Sequence, residues 1–138
     1  MAVIITTPRP PLNLFEVVRV DVTADWTAVY ETPVYRVPAL GPTPTYDIEA
    51  AAIMTGVIVT NTSVVPTTVS ARIIGTDAEP YALLTDIQIP IGDYILLDMN
   101  RQVLKSGEIM QLQCGLGTTA TAHLSFVLNQ REQFEVVV

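Results

Sequence analysis

The sequence predicts an all-β protein: a single antiparallel β-sandwich or jelly-roll-like domain with an extended N-terminal arm. Three observations favour this fold class. Short segments rich in β-branched and aromatic residues recur roughly every 12 residues, with turn-forming residues between them. Ten prolines and seven glycines interrupt the chain too often for long helices. No longer segment repeats its apolar residues with the helical period of about 3.6 residues.

The composition fits one domain whose surface is partly covered by other molecules. A chain of 138 residues is long enough to build one hydrophobic core. Hydrophobic residues make up 49% of it and charged residues 15%, against about 25% charged residues in typical soluble domains. A surface so poor in charge suggests contacts with neighbouring molecules.

The charge balance and the single cysteine argue against several kinds of protein, namely those that bind nucleic acids or anionic membranes and those held by internal disulfides. With 14 acidic and 7 basic residues, the net charge of −7 disfavours direct binding to nucleic acids or to anionic membrane surfaces. Cys114 has no partner for an internal disulfide and is expected to end a strand as a small buried residue. The N-terminus lacks a basic region, and no apolar run approaches the ~18 residues of a membrane helix. We therefore expect a soluble protein made in a reducing cytoplasm.

Residues 1–13 are predicted to form an extended arm that precedes a sandwich of residues 14–138. The prolines of the arm fix an extended backbone and remove amide donors. Its apolar residues would be poorly placed in water, so the arm either frays or lies on a partner chain. A second segment rich in Pro, Gly and Thr, residues 38–46, is the main internal break. The expected interaction residues in these two segments are Val3, Ile4, Ile5, Pro8, Pro10, Pro11, Pro42, Pro44 and Tyr46.

In the first half of the chain, residues 14–23 and 27–37 are predicted strands. Pro33 places the second of them at a sheet edge or marks a bulge there. Residues 53–59 are apolar at nearly every position, which predicts a strand that is covered on both faces. The alanine run before them leaves a helical turn over residues 47–54 as an alternative.

In the second half of the chain, alternating apolar residues predict three further strands. They cover residues 67–75, 81–89 and 120–129. A short apolar strand begins at Tyr94, and Ser106-Gly107 supplies the turn of a hairpin because glycine tolerates a positive φ. Residues 133–138 are expected to form a short tail or edge strand.

The sequence contains no set of residues that is typical of an active site. The sole histidine, His123, lies on the polar face of an alternating strand, and no Gly-x-Ser-x-Gly turn presents a nucleophile. His123 and Cys114 alone do not form a set of zinc ligands. Asp86, Asp93 and Asp98 lack the spacing of a calcium loop and are expected to be solvated charges. We therefore predict a protein that is not an enzyme and that has no metal or cofactor.

Four stretches of the chain carry a family resemblance through their order. They are "VIVTNTSVVPTTVSARI", "YALLTDIQIPIGDYILLDM", "QVLKSGEIMQLQC" and "TAHLSFVLNQRE". Together they span about residues 54–130 and resemble the small β-sandwich virion proteins of tailed bacteriophages, a type abundant in marine and cyanobacterial phages. The N-terminal part of the chain matches this family less well, so the arm looks like an elaboration.

The resemblance implies a structural virion component, first of all a capsid decoration (cement) protein that stabilises the head by binding capsid subunits. A neck, tail or baseplate component is the alternative, and the sequence does not separate the two. The implied partners are the major capsid protein or neighbouring tail and neck proteins, together with further copies of the chain, with a trimer as the first expectation. The implied location is the virion, assembled in the cytoplasm of the host bacterium. The arm and the loop of residues 38–46 would clamp neighbouring subunits.

A second class of function is a recognition module that binds carbohydrate on the host surface. Exposed Trp26, Tyr30, Tyr35 or Tyr46 would then stack on a sugar ring. Aromatic residues make up only 7% of the chain, so few remain for such a platform after the core has taken its share.

Overall fold

The computed structural model describes residues 12–37, 46–97 and 102–131, and every regular element in these ranges is a β-strand. The all-β fold class is therefore confirmed. The strands are β1 (Leu12–Val22), β2 (Thr27–Glu31), β3 (Tyr35–Val37), β4 (Tyr46–Asn61), β5 (Thr67–Ile74), β6 (Pro80–Ile89), β7 (Tyr94–Leu97), β8 (Val103–Lys105), β9 (Ile109–Cys114) and β10 (Ala120–Arg131).

The strands form two antiparallel sheets that pack face to face. In the first sheet, β1, β10 and β4 lie side by side, and the other edge of β4 pairs in turn with β3, β8 and β7. The second sheet has the strand order β2-β9-β5-β6. The order β1-β10-β4-β7 opposite β2-β9-β5-β6 is that of a jelly roll, so the predicted sandwich of jelly-roll type is confirmed.

The core lies between the two sheets and follows from the alternation of side chains along each strand. In β10, Ala120 and every second residue up to Leu128 are buried, whereas the residues between them are half-buried. In β9, Met110, Leu112 and Cys114 belong to the same buried cluster. Cys114 ends its strand at 5% exposure, which confirms the expectation of a small buried residue.

The prediction of one strand over residues 27–37 is wrong. The segment divides into β2 in the second sheet and β3 in the first, with Pro33 between them. Before the break, the backbone N–H of Thr32 donates to the carbonyl oxygen of Glu108, 3.0 Å away. Because Pro33 has no N–H with which to continue this pairing, the chain leaves one sheet here and enters the other.

The prediction that residues 53–59 are covered on both faces is also wrong. These residues belong to β4, where Met54, Val57 and Val59 are buried while Ile53 and Ile58 are each 37% exposed. The strand therefore has one buried face and one outer face. Its apolar sequence reflects an apolar outer surface rather than a second covering layer.

β4 settles two further expectations. Its pairing with β10 from Glu49 to Asn61, with one bulge at Thr55, excludes the alternative of a helical turn over residues 47–54. Tyr46 is the first residue of β4, with its backbone paired to Val37, rather than the last residue of a loop. The other expected interaction residues lie outside the described ranges. They are Val3, Ile4, Ile5, Pro8, Pro10, Pro11, Pro42 and Pro44.

The turn at Ser106-Gly107 is present, but it does not close a hairpin. Gly107 has a φ of +82°, and the backbone N–H of Glu108 donates to the carbonyl oxygen of Lys105 at 3.0 Å. The strand before the turn, β8, belongs to the first sheet, and the strand after it, β9, belongs to the second. The turn is therefore a corner at which the chain crosses between the sheets.

Candidate interaction surfaces

The outer face of the first sheet carries a row of apolar side chains from four neighbouring strands. The strand pairing places Phe15 of β1 opposite Val127 of β10, Val127 opposite Ile53 of β4, and Ile53 opposite Val103 of β8. Since side chains in register on one face lie within about 5 Å of each other, the four residues form a continuous line across the sheet.

A second row of side chains, two of them polar and two apolar, crosses the same face nearer to the other end of the strands. It runs from Arg19 through His123 and Ile58 to Leu96 of β7. Between the two rows lies Val17, paired with Ser125. His123, which the sequence placed on the polar face of its strand, lies on the outer face of the first sheet between Arg19 and Ile58.

The large side chains of this surface are strongly exposed where they lie on the outer strands. Phe15 is 84% exposed and Val17 is 80% exposed, and Leu96 and Tyr94 are also mainly in solvent. We call this surface the apolar face. It consists of Phe15, Val17, Ile53, Ile58, Tyr94, Leu96 and Val103.

The size of the apolar face is that of a functional patch. Four strands span about 15 Å across, and the rows extend about 20 Å along the strands, so the footprint is roughly 300 Å² and also contains the polar side chains of His123 and Ser125. Patches of this size on a monomer are often interaction sites. At one end, Ala51, Ile53, Val103 and Lys105 also line a concavity of about 630 Å³.

The outer face of the second sheet differs in chemistry, because polar side chains cover it. Arg72 of β5 donates from Nε to Oε1 of Gln111 at 2.8 Å, and its guanidinium carbon lies 4.0 Å from the centroid of a Trp26 ring. Gln113 donates from Nε2 to the carbonyl oxygen of Ala24 at 2.8 Å. These contacts hold the side chains in place across the sheet.

Arg72, Trp26 and Gln113 line a groove of about 450 Å³ between β5, β6 and the turn that contains Trp26. We call it the polar groove. Its lining includes Trp26, Ser70, Arg72, Thr85, Asp86 and Gln113, with Pro80 and Ala82 as apolar parts of the wall.

Asp86 occupies an unusual backbone position in the wall of the polar groove. Its φ is +49°, a left-handed conformation that costs most residues about 1 kcal/mol or more. The pairing of β5 with β6 is irregular at this point, between Val69 and Ala71. The backbone N–H of Asp86 donates to Oγ of Ser70 at 3.0 Å, and that hydroxyl donates to Oδ1 of Asp86 at 3.3 Å. The two bonds fix the exposed carboxylate.

The structure separates Trp26 and Tyr30 from Tyr35 and Tyr46, the other two aromatic residues that the sequence suggested for a sugar platform. Trp26 lines the polar groove. Tyr30 is only 8% exposed and belongs to the core, so its proposed role in sugar stacking is wrong. Tyr35 of β3 and Tyr46 of β4 lie in the first sheet, whereas β2 lies in the second. Their role in binding stays a prediction.

The groups that the sequence offered for chemistry do not converge. Cys114 is buried, with Sγ 3.7 Å from the carbonyl oxygen of Val22, and burial raises the pKa of its thiol. His123 lies on the outer face of the first sheet, away from this thiol. Within residues 12–37, 46–97 and 102–131, no three His, Cys, Asp or Glu side chains gather as metal ligands.

Sequence comparisons add no relative. No protein-family model matches the chain, and no curated protein matches it significantly. The described part of the chain also holds no helix with the length and apolar character needed to cross a membrane.

The sequence named Trp26 as a candidate for sugar stacking, but it did not predict either surface as a group of residues. A signal for the apolar face existed in the run of residues 14–18, where apolar residues occupy both alternating positions of β1. The polar groove left no such signal, because Arg72, Asp86 and Trp26 come together only through the pairing of β5 with β6 and β9.

Proposed function

We propose that this protein is a structural component of the virion of a tailed bacteriophage, and that it acts as a capsid decoration (cement) protein. The observation that carries the proposal is the apolar face. A surface with Phe15, Val17 and Leu96 mainly in solvent is suited to be covered by another protein. The polar outer face of the second sheet provides the contrast, since it would remain in water.

The size of the apolar face fits binding to a repetitive lattice. Burial of the apolar side chains of this face is favourable by about 25 cal/mol per Å² of accessible apolar area. The loss of translational and rotational freedom on association costs about 4 kcal/mol or more. One such contact alone is weak, whereas several contacts made at once by an oligomer on neighbouring capsid subunits become strong through effective concentration. The sequence-based expectation of a homo-oligomer, a trimer in the first instance, is part of this proposal.

The copy number per particle tests the location. Quantitative mass spectrometry against the major capsid protein should give about one copy per capsid subunit, or one trimer per local three-fold axis. A count of about three to twelve copies would assign the protein to the neck, tail or baseplate instead. Absence from purified particles would refute the virion proposal.

Substitution in the apolar face tests the mode of binding. Leu96→Ser places a polar group in the face and should reduce incorporation into particles, since the contact loses apolar area. Leu116→Ser is the matched control, because Leu116 is 96% exposed in the turn between β9 and β10. Equal incorporation of both variants, with both folded, would show that the apolar face is not the docking surface.

The arm has its own test. Because β1 begins at Leu12, deletion of residues 1–11 removes no part of the strands that the structure describes. If the arm clamps a neighbouring subunit, the truncated protein should keep its unfolding midpoint and lose occupancy on the particle. Unchanged occupancy would refute the clamp without affecting the role of the apolar face.

A further inference from the structure

We propose that the polar groove on the outer face of the second sheet is a saccharide-binding site, in which Trp26, Arg72 and Asp86 contact the ligand. This site lies on the opposite side of the sandwich from the apolar face, and its existence does not depend on the virion proposal. A protein docked through its first sheet would present this groove to solvent.

Arg72 is oriented before any ligand arrives. Its Nε donates to Oε1 of Gln111 at 2.8 Å, and its guanidinium lies 4.0 Å from the centroid of a Trp26 ring. The bond through Nε leaves the two terminal nitrogens as a planar pair of donors. Because the side chain already has one geometry, binding a ligand with this fork loses little rotamer freedom.

Asp86 supplies the complementary acceptor. Its backbone is held in a left-handed conformation by the bond from its N–H to Ser70 Oγ, and the same hydroxyl donates to Oδ1. Among the described residues, the Ser70 hydroxyl makes one hydrogen bond to this exposed side chain, so the carboxylate keeps further acceptor capacity. Unfavourable backbone conformations that surrounding contacts maintain are concentrated at binding sites.

The combination of a donor fork and a carboxylate selects the chemical class of the ligand. Neighbouring hydroxyl groups of a sugar ring both donate and accept, so one ring can accept from Arg72 and donate to Asp86. A phosphorylated ligand is disfavoured by Asp86 and by the net charge of −7. An apolar ligand would leave both charged groups unpaired.

The shape of the groove agrees with this class. Its volume of about 450 Å³ lies within the range of small-molecule sites, about 300–1,000 Å³. Pro80, Ala82 and the part of the Trp26 ring that the Arg72 guanidinium leaves uncovered offer apolar surface to the C–H face of a sugar ring, while Thr85 and Gln113 add hydrogen-bonding groups in the wall.

Binding can be measured on the full-length protein with an array of mono- to tetrasaccharides that covers hexoses, hexosamines, deoxyhexoses and uronic acids. Trp26 is the one tryptophan of the sequence, so its fluorescence reports occupancy of the groove directly. We expect saturable binding to at least one class of saccharide, with a fluorescence change at the same ligand concentration. Absence of saturable binding across the array would overturn the proposal.

Asp86→Asn is the sharpest variant, because asparagine also tolerates a positive φ and the change removes only the charge. We expect it to weaken saccharide binding at least tenfold, and we expect Arg72→Lys, which loses the planar fork, to do the same. Asp21→Asn is the matched control. Asp21 is exposed on the outer face of the first sheet, where its Oδ1 accepts from Thr121 Oγ1 at 3.2 Å. Equal affinity of Asp86→Asn and Asp21→Asn would place the ligand elsewhere and overturn the proposal.

Failure of this proposal and failure of the virion proposal are distinguishable. Asp86→Asn should leave incorporation into particles unchanged, whereas Leu96→Ser should leave saccharide binding unchanged. Loss of incorporation in Asp86→Asn, without saccharide binding by the parent protein, would show that the groove is a protein contact instead.

Discussion

The ring of Tyr30 stacks on the ring of Phe126, with centroids 4.0 Å apart and planes inclined by 18°. Tyr30 belongs to β2 of the second sheet and Phe126 to β10 of the first, so the pair joins the two sheets through the core. The hydroxyl of Tyr30 also donates to Oε2 of Glu16 in β1 at 2.7 Å. One side chain thus connects three strands and holds the edges of both sheets together.

Two substitutions separate the ring contact from the hydrogen bond. Tyr30→Phe keeps the stacking and loses the bond to Glu16, so we expect the free energy of unfolding to fall by about 1 kcal/mol. Phe126→Ala removes a fully buried ring and should cost about 3–5 kcal/mol. Urea denaturation measures both. A larger loss in Tyr30→Phe than in Phe126→Ala would show that the hydrogen bond, and not the stack, joins the sheets.

Asn61 closes the end of β4 through its side chain. Its Nδ2 lies 2.9 Å from the carbonyl oxygen of Val65 and also approaches those of Ile89 and Pro90, while Oδ1 accepts from the backbone N–H of Ser63. The residue is 3% exposed. The side chain therefore satisfies carbonyl groups that the end of the strand and the adjacent loop would leave unpaired.

Asn61→Asp should lower the free energy of unfolding by about 3 kcal/mol or more, because a carboxylate would then face these carbonyl oxygens in a buried site. Gln88→Glu makes the same change of amide to acid on an exposed position of β6, and we expect its effect to stay within about 0.5 kcal/mol. Thermal or urea unfolding of the two variants checks this. Similar small effects in both would mean that Asn61 is not a structural donor.

The sequence predicts well those parts of the fold in which the alternation of apolar and polar residues along one strand identifies its buried side. In β10, the alternation from Ala120 to Leu128 identifies the buried side without knowledge of any neighbour. Cys114 is likewise predicted correctly, since a small apolar residue that ends a strand pattern is most often buried. Both inferences need only local information.

The parts that the sequence does not predict depend on which strands are neighbours. The chain crosses between the sheets at Pro33 and again at Gly107, yet the same residues are also typical of an edge strand or a hairpin. The apolar run around Ile53 and Ile58 fits a doubly covered strand as well as an exposed apolar face. The contact of Arg72 with Trp26 depends on pairing across the second sheet, which no local pattern encodes.

Thr32 and Thr67 provide a matched pair of buried hydroxyl groups. Both side chains are buried, but Oγ1 of Thr32 has no hydrogen-bond partner among the described residues. Oγ1 of Thr67 instead makes a hydrogen bond with the hydroxyl of Thr118 and accepts from the backbone N–H of Gly115 at 3.3 Å.

Thr32→Val should leave the free energy of unfolding unchanged or raise it, because it removes an unpaired buried hydroxyl without a change of shape. Thr67→Val should lower it by about 0.5–1.5 kcal/mol, since the hydrogen bonds with Thr118 and Gly115 are lost while Thr118 still donates to the carbonyl oxygen of Gly115 at 2.6 Å and the Gly115 N–H to that of Thr68 at 3.1 Å. Urea denaturation curves of the two variants check the difference. They are analysed with one common m-value, the slope of the free energy of unfolding against urea concentration. A loss in Thr32→Val as large as that in Thr67→Val would reveal a partner for the Thr32 hydroxyl.

The buried thiol of Cys114 gives the folded protein a dependence on alkaline pH. Burial raises the pKa of Cys114 above its ordinary value of 9.0, and a hydrogen bond from Thr67 opposes this in part. Above pH 9 the unfolded chain therefore releases the thiol proton while the folded chain retains it, so the folded state binds more protons and stability falls as the pH rises. The slope is at most about 1.4 kcal/mol per pH unit, and it ends once the pH passes the pKa of the folded thiol.

Cys114→Ala lacks this titration and serves as the reference. We expect the difference in the free energy of unfolding between the parent protein and the variant to be constant below pH 8 and to shift against the parent protein above pH 9. Every other titratable group is present in both proteins, so the difference isolates the thiol. A thiol-specific reagent should also modify the parent protein far faster in urea than in buffer, because the folded side chain is 5% exposed. Rapid modification in buffer together with a constant difference up to pH 10 would show that Cys114 is accessible and that β9 opens at its end.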